Sequence, residues 1–202
     1  MASALGGSSG VGQTAAMKVF LDFEASSLSD HSFPVEVAWV FQDGRSESHL
    51  IRPAPDWTDW DAEAEAIHGL SRDMLATDGE PHEVVASRMV EALADHELFA
   101  SAPSWDGKWL SALLRGAGLP RHALRLRDTD EAMRATATEI LQGVVPGARL
   151  DVEVHALVAQ ANAGKQADPA HRALADAQEE YATWCRLRQA ARELAGRGAD
   201  GA

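Results

Sequence analysis

An apolar run over residues 18–24 (KVFLDFE) predicts a buried strand. Residues 34–41 (PVEVAWVF) predict a second, with valines and aromatics alternating around Glu36 and Ala38. The segment QDGR, 42–45, centres a turn on Asp-Gly, and SESHLI, 46–51, returns as a third strand, so the two form a hairpin. RPAPDWTDWD, 52–61, is a loop punctuated by two prolines. A short helix follows over 61–67, and Ser71 can cap another. Residues 82–95 put Val84, Val85, Met89, Val90 and Leu93 on one helical face. LFASA, 98–102, reads as a short buried strand. A helix from Asp106 is stopped by Gly116 and Gly118. A strand over 123–128 and helices over 129–141 and 150–162 come next. The last helix is expected over 169–195, with Asp168 as its cap and Pro169 in its first turn. Three strands followed by alternating helices and strands describe an α/β fold with a mixed sheet, an antiparallel meander first and parallel crossovers later.

Length and composition are consistent with one domain. The chain has 202 residues, 46% hydrophobic, enough for a single core. Residues 1–16, rich in Gly, Ser and Ala, read as a flexible lead without the features of a secretory signal. Residues 17–196 are expected to form the domain, and 197–202 a disordered tail. No apolar run approaches the roughly 20 residues that span a bilayer, so a soluble protein without membrane partners is expected. The single cysteine, Cys185, excludes an internal disulfide and fits a reducing, cytoplasmic setting. Placed in a helical pattern between Trp184 and Leu187, it reads as a packing residue.

The net charge of −13 bears on any phosphate-bearing partner. The charge is uneven. Residues 1–107 hold 5 Lys/Arg against 19 Asp/Glu, whereas residues 108–202 hold 13 against 12. Six basic residues fall within 108–134: Lys108, Arg115, Arg121, Arg125, Arg127 and Arg134. They describe either a local basic surface or the solvated faces of helices.

The acids of the first strand change the picture most. Residues two apart on a strand share a face, so Asp22 and Glu24 lie on one side, their α-carbons roughly 7 Å apart, and Phe23 on the other. Carboxylates that close repel, and burial adds to the cost. Either the strand end lies open to water or a cation sits between them. An all-oxygen ligand set favours a hard ion such as Mg²⁺ or Mn²⁺. Two more acids stand where they could join. Asp106 follows the strand at 98–102 and opens a helix, where an Asp also serves as a cap. His171 and Asp176 stand at the front of the last helix, Asp176 among Ala173, Ala175 and Ala177.

Asp22-x-Glu24, Asp106 and His171-x₄-Asp176, in that order, resemble the DEDDh branch of the DnaQ-like 3′→5′ exonucleases, the group of proofreading subunits, RNase T and oligoribonuclease. The resemblance covers about residues 17–185. AIHGLS, 66–71, is similar to the histidine-glycine segment between that group's first two motifs. Phe23 replaces the usual small polar residue between the acids, but strand alternation turns it away from the site. The resemblance implies an RNase H-like fold with a five-stranded mixed sheet, strands 1 to 3 antiparallel. It implies two Mg²⁺ or Mn²⁺ ions held by Asp22, Glu24, Asp106 and Asp176. His171 would be general base, a role suited to a side chain type that titrates near neutrality. The implied substrate is the 3′ end of single-stranded DNA or RNA. The backbone at Ala25 and Ser26 would meet the terminal nucleotide, Leu28 or Phe33 would wedge beside its base, and His68 would reach its sugar or phosphate.

Trp105 and Trp109 flank the second motif and either stack on bases or pack in the core, the core being preferred for Trp109. Trp57 and Trp60 are either a stacking platform or a lid over a small core of their own loop. A catalytically silent exonuclease-like domain that binds nucleic acid or protein predicts a missing ligand, and none of the five residues is missing. A different metal-dependent phosphohydrolase would need a competing ligand set, and the other histidines show no such pairing. With no second domain in the pattern, a stand-alone enzyme is the expectation. Part of the group dimerises, which makes a homodimer an admissible assembly.

Overall fold

A computed structural model describes residues 15–165 and 170–199. The first three strands, β1 (Lys18–Ala25), β2 (Pro34–Phe41) and β3 (Ser46–Arg52), form the antiparallel meander that the alternation predicts. The hairpin between β2 and β3 closes at Gly44, whose φ of +89° is cheap only for glycine. Next come α1 (Ala62–His68), α2 (Arg72–Asp78), a two-residue strand β4 (Glu80–Pro81) and α3 (His82–Leu93). Strand β5 (Glu97–Ala100), helix α4 (Pro103–Gly116), strand β6 (Leu126–Asp128) and helices α5 (Thr129–Leu141), α6 (Gly147–Ala163) and α7 (Ala173–Ala199) complete the described chain.

The sheet runs β4-β3-β2-β1-β5-β6, with β5 parallel to β1 and β6 parallel to β5. It therefore has six strands, not five. The extra one, β4, lies parallel to the end of β3 and ends in a proline, which an edge strand tolerates. Two residues carry no periodicity, so no pattern announces it.

Strand β1 is central and divides the core by its own alternation. Val19, Leu21, Phe23 and Ala25 pack with Val37 and Trp39 against α3 and α4. Phe20 faces the other layer, with Phe99, Trp184 and the apolar faces of α5, α6 and α7. Burying side chains of this size contributes about 1.5–3 kcal/mol each before ordering costs. Asp22 and Glu24 continue the Phe20 face beyond the core, toward α7. Cys185 packs at the edge of this second layer, as its helical setting suggests. Trp57 and Trp60 cover a small satellite core of Phe33, Val35, Leu70 and Leu75, with Phe33 and Trp57 stacked at 5.3 Å. Of the two roles open to these tryptophans, packing over their own loop is the one adopted.

Several boundaries move for local reasons. Helix α4 begins at Pro103, a favourable first-turn residue, and this puts Asp106 inside the first turn instead of at the cap. Helix α7 begins at Ala173, because His171 takes a left-handed backbone (φ 51°) that cannot continue a helix. Asp168 and Pro169, expected to open that helix, lie outside the described residues. Helix α7 continues to Ala199, past the expected helix end at 195. Among the described residues no helix is long and apolar enough to cross a membrane.

Candidate active site

The end of β1, Ser101 just before α4, Lys165 after α6 and the first turns of α7 line a cavity of about 650 Å³. Its lining includes Asp22, Glu24, Lys165, His171, Asp176 and Glu180. Each of Asp22, Glu24 and Asp176 offers a carboxylate oxygen, and these three atoms lie within 4.8 Å of one another. The cross-strand partners of the two strand acids are Ala38 and Glu36.

Asp106 stands outside this trio but next to it. It is 2% exposed, and its Oδ2 is buried without a hydrogen-bond partner. Burial pushes its carboxyl up to about 7, against backbone hydrogen bonds at Ala102 and Phe23 that work the other way. Glu24 also rises to about 7, by burial first and then by the charges of Asp176 and Glu36. Asp22 is driven well above the ordinary carboxyl range, by burial and then by Asp106, Glu24, Asp176 and Glu180. Acids so placed hold protons that a cation would displace. An orphaned buried oxygen beside three converging carboxylates fits a hard divalent ion, with oxygen as the only donor type.

The histidine loop is anchored closely. Asp176 Oδ1 accepts the Ala170 N–H at 3.0 Å, and its Oδ2 accepts the Arg172 N–H at 3.2 Å. His171 lies between those two amides, half-buried on the cavity wall. One turn along α7, Glu180 faces the same cavity and is held by Lys165, whose Nζ donates to its two oxygens at 2.8 and 3.1 Å. Sequence reasoning missed Glu180, yet its signal was present: it stands four residues after Asp176 and so shares its helical face.

The expected substrate contacts divide. Ala25 is buried at a register irregularity where β1 leaves the ladder. Ser26 is 0% exposed and fully engaged: its N–H donates to Phe33, its carbonyl accepts from Asp61, and its Oγ accepts the Phe33 N–H. Its place is therefore inside the loop. Asp59 organises that loop, accepting from the hydroxyls of Ser26, Ser27 and Ser29. The loop holds Leu28 out, 71% exposed. His68 is buried at the end of α1, where Gly69 (φ +72°) turns the chain. Its Nδ1 accepts the Leu70 N–H at 3.0 Å, and its Nε2 has no partner. Burial holds its pKa below the ordinary histidine value. Trp105 is 39% exposed, stacked at 5.7 Å on Trp109, with the Lys108 ammonium 5.1 Å from its ring centre. Trp109 is a core residue, its Nε1 donating to Ser32 Oγ. Of the basic residues within 108–134, Arg127 on β6 pairs with Glu97 and Glu131, and Arg134 on α5 with Asp130, all of them solvated surface pairs.

No protein-family model matches the chain, and no curated protein matches it. Solved structures of exonuclease I share its fold. The zinc-bound E. coli exonuclease I complex with single-stranded DNA superposes with a TM-score of 0.63 at 17% identity, covering 91% of this chain and 42% of the other. The E. coli enzyme with a dA16 oligonucleotide gives 0.62 at 18% identity, covering 89% and 42%. Exonuclease I from Methylocaldum szegediense gives 0.62 at 19%, covering 90% and 42%. The chain thus spans less than half the length of these structures. The likeness establishes the architecture: a mixed α/β domain of RNase H-like type, strands 1 to 3 antiparallel, flanked by helices.

Proposed function

We propose that the chain is a metal-dependent 3′→5′ exonuclease that hydrolyses the terminal phosphodiester of single-stranded nucleic acid. The observation that carries this reading is the convergence of Asp22, Glu24 and Asp176, with the orphaned Asp106 oxygen beside them and His171 on the same cavity wall. The single-stranded DNA named in the exonuclease I structures supports the substrate class.

In this reading Asp22, Glu24, Asp106 and Asp176 hold two Mg²⁺ or Mn²⁺ ions, which when bound make a water more acidic and stabilise charge on the leaving oxygen. His171 accepts a proton from the attacking water at a ring nitrogen. Asp176 does two jobs, keeping oxygen lone pairs for a cation while bracing the backbone on both sides of His171. Leu28, held outward by the Asp59 loop, lies against the terminal base. Trp105 takes a neighbouring base on its exposed face. His68, beside Ala25 at the end of α1, stands for the contact to the terminal sugar or phosphate. Residues 17–196 act as one nuclease domain.

The test is a gel of 5′-labelled single-stranded DNA and RNA with Mg²⁺, Mn²⁺ or EDTA. A metal-dependent ladder shortening from the 3′ end is expected, and the faster polymer names the preferred substrate. Intact oligonucleotides in every lane would sink the proposal. His171→Ala is expected to lower kcat about 10²–10⁴-fold while leaving calorimetric Mn²⁺ binding in place. Trp105→Ala is expected to raise KM by the equivalent of about 1–3 kcal/mol with kcat little changed. An unchanged KM would remove Trp105 from the substrate path.

A further inference from the structure

We infer that Glu36 and Arg172 form a clamp that sets His171 in the cavity, which makes both of them positioning residues for the proposed hydrolysis; the inference rests on the exonuclease reading above. Strand β2 is buried at all eight positions, and Glu36 is its one charged residue, 2% exposed. A carboxylate in such a place is tolerated only when its oxygens are satisfied. Here they are satisfied by the chain on either side of the start of α7. Glu36 Oε1 accepts Arg172 Nη2 at 2.8 Å, and Oε2 accepts Arg172 Nε at 3.0 Å, the paired geometry that a guanidinium supplies. Oε2 also accepts the backbone N–H of Ala173 at 3.0 Å.

These three bonds act on the residues immediately after His171. Asp176 secures the residues on either side through the Ala170 and Arg172 amides. The one residue between them, His171, has φ 51°, a left-handed conformation that non-glycine residues keep only where the surroundings over-determine it. A helix cap alone would fix the loop to α7. The Glu36 bonds fix it to the sheet as well. Glu36 is the cross-strand partner of Glu24, so the base and the strand carboxylates are referred to the same pair of strands. Rotation of α7, or fraying of its first turn, would then carry the imidazole away from the acids only by breaking the clamp. Misplacement of a reacting group by about 1 Å can cost on the order of 10²-fold in rate.

The experiment compares Glu36→Gln and Arg172→Lys in the wild-type and His171→Ala backgrounds, reading kcat and KM on a single-stranded oligonucleotide and Mn²⁺ affinity by calorimetry. Glu36→Gln keeps the side chain's shape but loses the charge; Arg172→Lys keeps the charge but loses the fork. Each is expected to lower kcat by about 10–100-fold with KM within about twofold of wild type; Mn²⁺ affinity should also stay within about twofold in Arg172→Lys, which keeps the charges beside Glu24, whereas Glu36→Gln, which removes one, is decided by kcat in the two backgrounds. In the His171→Ala background neither should lower kcat further, because a residue that acts through His171 has nothing left to position. Equal losses in both backgrounds, or wild-type kcat in the single variants, would overturn the clamp. Should Glu36→Gln fail to fold, Arg172→Lys leaves the buried carboxylate with a cation and still decides. A His171→Ala enzyme at the wild-type rate overturns the general-base reading itself, whereas a slow His171→Ala enzyme beside fully active clamp variants overturns the clamp alone.

Discussion

Asp22→Asn is expected to abolish cleavage and, at the same time, to raise the melting temperature of the metal-free protein. Asp22 is the acid on which the others converge: burial raises its pKa first, and Asp106, Glu24, Asp176 and Glu180 each add to the rise. Its ionised form is therefore strongly disfavoured in the metal-free cluster. An amide of the same shape removes that repulsion and leaves the Phe20 and Phe23 layers packed as before. The same change removes the oxygen charge that a divalent ion needs, so kcat should fall by more than about 10³-fold and calorimetric Mn²⁺ binding should weaken sharply. The two readouts move in opposite directions, which separates this outcome from damage to the fold. A variant that loses activity and stability together would make Asp22 a structural acid. One that keeps its rate would remove it from the chemistry.

The parts of this site that could be read in advance are those written in local period. Alternation places Asp22 and Glu24 on one face and Phe23 in the opposite core, and the core cluster that contains Phe23 agrees. The hairpin at 42–45 and the Ser71 cap are likewise local chemistry. Other parts depend on the register of distant segments. Glu36 and Arg172 lie 136 positions apart, and no spacing rule joins them. What stood in the sequence was one acid inside an otherwise apolar strand, a signal that a buried partner was needed without a hint of its identity. Ser26 shows the converse. The family resemblance implies that its backbone meets the substrate, but the loop folds back on Phe33 and Asp59 and engages its polar groups. The first turn of α4 is a third case: starting the helix at Pro103 sinks Asp106 below the surface and turns a cap candidate into an orphaned carboxylate.

Metal binding and pH should be coupled strongly in this protein, with a sign set by Glu24 and Asp106. Both carboxyls stand at about 7 in the metal-free fold, against ordinary values near 4 in an unfolded chain. Between about pH 4 and pH 7 the folded state therefore binds protons that the unfolded state has released. Stability from these groups is fully present below their unfolded pKa values and is lost as pH rises through about 7. A tenfold difference in proton affinity between folded and unfolded states is worth about 1.4 kcal/mol, and partial exposure and mutual coupling reduce the sum to a few kcal/mol. In EDTA the melting temperature should fall by roughly 5–10 °C from about pH 5 to about pH 8. His68 works in the opposite direction, since its lowered pKa adds stability as pH rises toward the ordinary histidine value, the gain being complete above it. The double variant Glu24→Gln, Asp106→Asn isolates the contribution of these two carboxyls, because it should shrink the fall and leave that of Asp22, raised first by burial, beside the His68 gain. Millimolar Mn²⁺ displaces the protons and should restore the lost stability at about pH 8 while doing little at about pH 5. An EDTA profile flat in wild type and variant alike would show that these carboxyls titrate as ordinary acids; a Mn²⁺ effect as large at pH 5 as at pH 8 would show that binding displaces no protons from them, and no Mn²⁺ effect at pH 8 would show that the cluster holds no ion.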